Sequence, residues 1–251
     1  MSRTVFTKSY RSPRSARQAA ANHAWLEEHT PLRQPRLLAV QARRLDFEHV
    51  DGRHVIVEDL VTVATLLGEA HAIAWLGGLH RARLDTSYLL PDGHAIPAFV
   101  GPRRSALSRH HRAGTLCGED LAIAVGLLQT DPDEPAAFYK DSNPRNILIT
   151  PTGPVIVDPD DLTLAPFGYD LAKLVVTLAM THGPIHGETI SSALAAYNQA
   201  VTSNAAKVGC VTPSRLLGHA HLHHLLTSPY LGRGGYRYPW PQVRPNLDDI
   251  T

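Results

Sequence analysis

The segment from Phe138 to Lys173 constrains the fold of this chain more than any other stretch. Asp141 lies in a polar loop, and Asn146 follows it at the point where a short apolar run begins. After a Pro-Thr-Gly turn, a second apolar run ends in Asp158. Two such runs around a turn predict a β-hairpin. The hairpin would place Asn146 at the start of one strand and Asp158 at the end of its partner, both facing the loop that holds Asp141.

Two carboxylates and an amide in this order are the side chains that phosphoryl transfer needs. One carboxylate orients an attacking hydroxyl and accepts its proton, while an amide oxygen and the second carboxylate hold the magnesium that bridges the nucleotide phosphates. Few hard oxygen ligands, completed by water, suit magnesium rather than zinc. Each of the three residues alone also fits a turn or a cap, so the prediction depends on their combination.

The runs D-S-N-P-R-N, V-I-V-D-P-D-D and Y-D-L-A resemble the aminoglycoside phosphotransferase/choline kinase-like family, which has the protein-kinase-like fold. The resemblance implies ATP and Mg²⁺ as cofactors and a hydroxyl of a small molecule as acceptor. It implies Asp141 as catalytic base, Asn146 and Asp158 as magnesium ligands, and Asp170 as the buried residue that braces the catalytic loop.

The resemblance extends upstream. Lys8 in T-V-F-T-K-S-Y looks like the strand lysine that contacts nucleotide phosphates, and the Ala-rich helix predicted from Ser15 to Glu28 looks like the regulatory helix that carries its acidic partner. At the positions where that acid is expected, this chain has Gln18 and Asn22. The run 55–60 looks like the strand and hinge that hold adenine through backbone groups, which implies nucleotide-binding roles for Glu58 and Leu60.

The chain departs from the family pattern at two further points. Tyr139 and Lys140 stand where the family has His-Gly before the catalytic aspartate. The Lys140 ammonium would either lower the basicity of Asp141 or neutralise developing phosphate charge. Arg145 either contacts a phosphate or faces water. The chain also opens only a few residues before the lysine strand, which indicates either a natural start further upstream or a reduced nucleotide lobe.

The coarse pattern predicts an α+β, protein-kinase-like fold of two lobes. We expect a small, truncated β-rich N-lobe over residues 1–60, which binds nucleotide, and a larger, mainly helical C-lobe over residues 61–251, which carries the catalytic loop and the substrate site. Asp51-Gly52 predicts a hairpin between the β-prone runs 44–50 and 53–58. Residues 61–83 and 119–128 read as helices, whereas residues 86–118 give no clear pattern.

The composition and net charge limit the classes of partner that the chain is expected to bind. A formal net charge of +1 provides no broad electrostatic footprint for nucleic acid or an anionic membrane. No apolar run approaches the ~18 residues of a membrane span, and no signal core follows Met1, so we expect a cytoplasmic protein. The histidines at 219, 221, 223 and 224 lack an acid to complete a metal site and fit a helix with partly buried histidines.

Two functions remain open from the sequence. The first is an ATP- and Mg²⁺-dependent phosphotransferase acting on an antibiotic, a natural product or a metabolite. The second is a non-catalytic, pseudokinase-like binding protein with a reduced nucleotide lobe. A protein kinase fits less well, because Pro159-Asp160 replaces the expected Phe-Gly and Asp170 follows too closely for an activation loop. The oligomeric state is left open.

Overall fold

A computed structural model describes residues 4–91, 93–129, 134–158, 160–227 and 236–250. Its strands are β1 Val5–Ser9, β2 Leu37–Gln41, β3 Arg44–Glu48, β4 Arg53–His54, β5 Tyr88–Leu89, β6 Ala95–Ile96, β7 Ala136–Tyr139, β8 Ile147–Thr150, β9 Gly153–Ile156 and β10 Thr163–Pro166. Its α-helices are α1 Pro13–His29, α2 Leu60–Gly77, α3 Val100–Arg112, α4 Gly118–Leu127, α5 Tyr169–His182, α6 Gly187–Asn204, α7 Pro213–Thr227 and α8 Trp240–Val243.

The N-terminal part is a three-stranded antiparallel sheet in the order β1-β3-β2 with α1 packed on it. Ser12 caps α1, because its hydroxyl accepts from the Ser15 N–H and Pro13 follows at the first helical position. Alternation along β1 turns Lys8 to the opposite face from Thr7 and Ser9, and Lys8 lies across from Leu45. The sheet thereby presents the lysine towards the second half of the chain.

The hairpin predicted at Asp51-Gly52 is wrong. β4 does not pair with β3; it pairs antiparallel with β8, with Arg53 opposite Ile149. A Cβ on Gly52 would lie 3.0 Å from Leu148 Cβ, so glycine serves the close approach of the chain to β8 rather than a tight turn.

The strand predicted for residues 55–60 is also wrong. The Asp59 carboxylate accepts from Arg53 and from the Ile56 N–H, which curls residues 57–59 into a 3-10 turn instead of extending them. Leu60 then begins α2 and is fully buried. A local side-chain bond to the backbone has outweighed the β propensity of Val55-Ile56-Val57.

The hairpin predicted around Pro151-Thr152-Gly153 is present. Ile147 pairs with Ile156, and Thr150 pairs with Gly153 across a two-residue turn. One step beyond the ladder, the Val157 N–H donates to the Asn146 carbonyl at 2.8 Å. This register brings residue 146 and residue 158 to the same end of the hairpin. β7 and β10 form a second antiparallel pair, and the segment between them contains Asp141 and Asp158.

The C-terminal part is mainly helical, as the sequence predicts. α5 is the central helix, with twelve buried residues including Asp170 and Lys173. α2 packs closely on α6, where Gly68 approaches the Tyr197 carbonyl. The segment Val57–Gly77 is long and apolar enough to cross a membrane by length and composition, but half of its most apolar window is buried against the rest of the chain. A core helix has the same properties, so the segment is weak evidence for a membrane protein.

Candidate active site

The loop after β7 holds Asp141 in a backbone conformation that few residues adopt. Its φ is +47°, in the left-handed region that aspartate and asparagine tolerate better than other non-glycine residues. The Asn143 N–H closes the turn onto the Asp141 carbonyl at 2.6 Å. Positive φ in a non-glycine residue is a common sign of a functional site, because surrounding structure must stabilise it. The turn leaves the Asp141 carboxylate about one quarter exposed.

Asn146 is bonded to Asp141 through its amide nitrogen. Nδ2 donates to Asp141 Oδ2 at 2.9 Å and to the Asp141 carbonyl at 3.0 Å. Both partners are acceptors, so the nitrogen must face Asp141 and the amide oxygen must point away from it. The amide oxygen is thereby left available as a ligand, on a residue whose backbone carbonyl accepts the N–H of Val157, one position before Asp158.

Asp158 also has a left-handed backbone, with φ +63°, and its carboxylate faces the N-terminal sheet. Lys8 Nζ donates to Asp158 Oδ1 at 2.7 Å and lies 2.8 Å from Asp160 Oδ2. Burial alone would lower the pKa of Lys8, but the hydrogen bonds to the two aspartates outweigh it and raise that pKa. For Asp158, burial opposes ionisation, while the bond from Lys8 lowers the pKa overall. Lysine and carboxylate are therefore both charged.

The acidic partner of Lys8 comes from the loop after β9 and not from α1. At the position on α1 where an acid was expected, Asn22 donates to the Asp160 carbonyl at 2.9 Å. The Tyr10 hydroxyl donates to Asp160 Oδ1 at 2.9 Å. Three side chains of the N-terminal part, Lys8, Tyr10 and Asn22, thus converge on Asp160.

Asp170 is fully buried at the start of α5. Its carboxylate accepts the Lys140 N–H at 3.1 Å, and its backbone carbonyl accepts the Ser142 hydroxyl at 2.6 Å. His71 Nε2 lies 3.5 Å from the same carboxylate. These contacts hold the residues on both sides of Asp141, which is the geometry expected of a brace for the loop.

Lys140 and Lys173 are both buried, each 4% exposed. Lys140 donates to the Asp158 carbonyl and is not among the residues that line the cavity between the N-terminal sheet and the β8–β9 hairpin. Burial lowers its pKa. Lys173 forms an ion pair with Asp141 and donates to the Tyr139 hydroxyl at 2.9 Å. Burial and the positive charges of Lys140 and Arg103 lower the pKa of Lys173 to about 7.

A cavity of about 510 Å³ opens between the N-terminal sheet and the β8–β9 hairpin, within the range of small-molecule sites. Lys8, Arg145, Asn146 and Asp158 line its polar end. The other lining residues are Phe6, Thr7, Ser9, His23, Gln34, Pro35, Phe47, Glu48, His49, Val50, His54, Leu148, Ile156 and Val157. Neither Glu58 nor Leu60 reaches the cavity, because the chain curls into the 3-10 turn and α2 before it.

The residues at the polar end fit a nucleotide with a hard cation. An amide oxygen and a carboxylate are the oxygen donors that magnesium accepts, and it commonly keeps water and phosphate oxygens in its remaining positions. Lys8 and Arg145 supply positive charge to the same end of the cavity. Among the residues that the structure describes, no group of three or more His, Cys, Asp or Glu side chains could hold a metal ion, so a transition-metal centre finds no support there.

The histidine-rich helix is a packed element, as expected. His219, His223 and His224 of α7 are buried, and Tyr169 stacks edge-on against the first two. Burial lowers the pKa of His219 to about 3 and of His224 to about 4, and it holds that of His223 well below its usual value. These side chains are therefore neutral in the folded protein at pH 7.

Sequence reasoning missed Lys173, although a signal was available. It interrupts the otherwise apolar helical run from Leu171 to Met180. A charged side chain on a helix that is apolar all round is buried, and a buried charge requires a partner. The partner, Asp141, comes from a loop far along the chain, and no local pattern identifies it.

The fold and this arrangement define a class of enzyme, the phosphotransferases with a protein-kinase-like two-lobe α+β fold. Solved structures share the fold at low identity. A macrolide 2'-phosphotransferase from Brachybacterium faecium has a TM-score of 0.56 at 15% identity over 96% of this chain and 84% of that one. A choline kinase from Streptococcus pneumoniae has a TM-score of 0.59 at 12% identity over 94% and 83%. An amicoumacin kinase solved in complex with AMP-PNP, Ca²⁺ and Ami has a TM-score of 0.56 at 11% identity over 88% and 71%.

No curated protein matches the sequence. The model of the phosphotransferase enzyme family (APH) matches residues 3–204. The chain belongs to that family, and it is a small-molecule kinase that transfers a phosphoryl group to a hydroxyl.

Proposed function

We propose that the chain is an ATP- and Mg²⁺-dependent O-phosphotransferase of the cytoplasm, where its nucleotide is available. The observation that carries the proposal is the convergence of Lys8, Asn146 and Asp158 at the polar end of the 510 Å³ cavity, with Asp141 bonded directly to Asn146. A protein that only binds a partner has no physical need of this set. We place the division between the nucleotide lobe and the C-lobe near residue 60.

Each residue has a separate task in this proposal. Asp141 orients the acceptor hydroxyl and accepts its proton, a contribution worth ~10²–10⁴ in rate. Asn146 and Asp158 would hold Mg²⁺, which neutralises charge on the β- and γ-phosphates when it is bound. Lys8 and Arg145 bind phosphate oxygens. Asp170 keeps the catalytic loop in place through Lys140 N–H and the Ser142 hydroxyl.

The segment that we assign to the binding of adenine differs from the one predicted from the sequence. Glu48, His49 and Val50 follow β3 and line the cavity, so their backbone is the candidate to bind the base instead of residues 55–60. The acceptor binds on the Asp141 side of the phosphates. The amicoumacin kinase structure, with a nucleotide analogue and an antibiotic bound together, supports a small-molecule acceptor for this fold.

Thermal unfolding tests the nucleotide site without knowledge of the acceptor. We predict that ATP with Mg²⁺ raises the Tm of the wild-type chain and that Asp158→Asn abolishes the magnesium-dependent part. Binding to the folded state alone contributes about 2.7 kcal/mol at a hundredfold excess over Kd. Glu119→Gln, which neutralises an exposed carboxylate at the start of α4, is the matched control and should behave as wild type.

The result that contradicts the proposal is equally specific. If ATP gives the same shift with and without Mg²⁺, or if Asp158→Asn keeps the full magnesium-dependent shift, the assigned cation site is wrong. If no nucleotide shifts the wild-type Tm, the non-catalytic alternative replaces the proposal.

A further inference from the structure

Lys173 is a buried cation to which the proposed reaction assigns no task. Its Nζ pairs with Asp141 Oδ1 and donates to the Tyr139 hydroxyl at 2.9 Å. That hydroxyl in turn donates to Asp141 Oδ1 at 3.0 Å. Lys173, Tyr139 and Asp141 therefore form a closed triangle of hydrogen bonds.

The triangle makes the two oxygens of Asp141 different. A carboxylate oxygen offers about two lone-pair directions. On Oδ1 both are taken, one by the Lys173 ammonium and one by the Tyr139 hydroxyl. On Oδ2 the structure gives one partner, the Asn146 amide nitrogen at 2.9 Å. Oδ2 therefore retains one lone-pair direction that can accept from an acceptor hydroxyl.

We infer that Lys173, together with Tyr139, is a positioning residue that fixes the Asp141 carboxylate so that Oδ2 receives the proton of the acceptor hydroxyl. The inference rests on the proposed function. In the step, the acceptor oxygen forms its bond to the γ-phosphorus as the bond to the β-bridging oxygen breaks, and the hydroxyl proton moves to Oδ2. Lys173 touches no reacting atom and acts through Asp141.

The surroundings of Lys173 favour this role over that of a core filler. Burying an ammonium is costly unless it is paired, and the buried residues of α5 are apolar apart from Lys173, Asp170 and Thr177. The other charged groups near it are Arg103, which stacks over the Tyr139 ring at 5.2 Å, and Lys140, which is bonded to Asp158. Both are positive and both disfavour a third cation there. The Asp141 carboxylate and the Tyr139 hydroxyl both stabilise the ammonium, so the three residues form a unit.

The test measures ADP release from Mg²⁺-ATP with water as the acceptor, so that no natural substrate is required. The variants are Lys173→Met, which keeps the length of the side chain without its charge, Lys173→Arg and Tyr139→Phe. Lys207→Met, at an exposed position far from the cavity, is the control. The Tm shift with Mg²⁺-ATP is measured on every variant.

For Lys173→Met we expect kcat to fall by at least about tenfold, with the KM for ATP and the Mg²⁺-ATP shift unchanged, because base catalysis contributes ~10²–10⁴ in rate. Lys173→Arg should recover part of the loss, and Tyr139→Phe should lie between Lys173→Met and wild type. The double variant Asp141→Asn/Lys173→Met should be no slower than Asp141→Asn alone, since residues that act as a unit are not additive.

The possible outcomes distinguish failure of the inference about Lys173 from failure of the proposed function. A wild-type chain with neither turnover nor a Mg²⁺-ATP shift overturns the proposed function and the inference with it. An active wild type whose Lys173→Met and Tyr139→Phe variants keep full kcat overturns the inference alone. A double variant whose loss of kcat combines the losses of the two single variants also overturns the inference alone. If Lys173→Met does not fold, the Tyr139→Phe variant, which removes a single oxygen, decides the question.

Discussion

At the scale of single residues, the side chain of Asn146 has two tasks at once. Its nitrogen holds the Asp141 carboxylate, and in the proposed site its oxygen faces the cation. A carboxylate at this position could perform the second task but not the first, since an ionised carboxylate is only an acceptor. The choice of an amide at position 146 follows from the need for a donor on one side and an acceptor on the other.

Asn146→Asp should therefore separate the two tasks. The new carboxylate is still an oxygen ligand, so we expect the Tm shift with Mg²⁺-ATP to persist. It would lie against the Asp141 carboxylate as a like charge, so turnover should fall by about tenfold or more, within the ~10²–10⁴ that a positioned base contributes. The measurements are the Tm shift and ADP release.

The same chemical change on the exposed face of α6, Gln199→Glu, is the control and should leave both readouts unchanged. Loss of the Tm shift together with turnover in Asn146→Asp would mean that the amide oxygen is indispensable to the cation site. Unchanged turnover would show that Asn146 does not position Asp141.

At the scale of elements, α2 and α6 approach each other at a glycine. A Cβ on Gly68 would lie 2.5 Å from the Tyr197 carbonyl, a distance that backbone atoms cannot accommodate without moving. The contact matters for the site, because the Tyr197 hydroxyl bonds His71 at 2.8 Å and the Gly168 N–H at 2.9 Å, next to Asp170. The spacing of these helices is thus transmitted to the brace of the catalytic loop.

Gly68→Ala should destabilise the fold by about 1–3 kcal/mol, the usual cost of overpacking. Gly126→Ala in α4 is a control of opposite sign, because nothing lies within 4 Å of its Cβ position and alanine is favoured over glycine in a helix by ~0.5–1 kcal/mol. Urea unfolding of the two variants compares the effects. Equal stability of Gly68→Ala and wild type would show that the two helices can move apart at little cost.

Elements whose signals are local could be read from the sequence. The β8–β9 hairpin, β7 and α1 each contain a turn, a periodic pattern or a cap within their own residues, and the structure has them within a few residues of the predicted bounds. The elements around residues 51–60 depend on a partner that the local sequence does not contain. Gly52 allows the close approach of the chain to β8, and the Asp59 carboxylate accepts hydrogen bonds from Arg53. The sequence pattern therefore predicted a hairpin and a hinge in a region where the chain instead turns towards the C-terminal part.

The residues of the site divide in the same way, into those with a local sequence signal and those that depend on distant partners. The order and spacing of Asp141, Asn146 and Asp158 identified them as candidates, because the chemistry of the three residue types is strongly constrained. Lys173 and Asp160 acquire their partners only when distant segments meet. Lys8 and Asp158, for example, are 150 positions apart and lie 2.7 Å from each other in the fold.

At the scale of the whole molecule, the neutral histidines of α7 link stability to pH. The pKa of His219 is lowered to about 3 and that of His224 to about 4, whereas both side chains have a pKa near 6.5 when unfolded. Between these values the unfolded chain binds more protons than the folded one, so stability increases with pH up to 6.5 and is then constant.

We therefore predict a loss of stability on acidification from pH 7 to pH 5, by up to about 1.4 kcal/mol per pH unit for each such histidine. Urea unfolding across this range measures it. His219→Gln should reduce the slope, and His182→Gln, at an exposed position, should not. A stability that does not change between pH 7 and pH 5 would mean that these histidines are hydrated or become protonated within the fold.

The chain contains four lysines, at positions 8, 140, 173 and 207, against twenty arginines. Three of the four belong to the site, and two of those are sealed from solvent at 4% exposure. Because of this arrangement, reagents that react with amines are unusually selective among the lysines of this chain. An acylating nucleotide analogue that enters the cavity meets a single reachable side-chain amine, Lys8, and a reagent in bulk solvent meets Lys207 as well. If the cavity is the nucleotide site, as proposed, labelling of Lys8 measured against that of Lys207 reports directly on whether the cavity is filled.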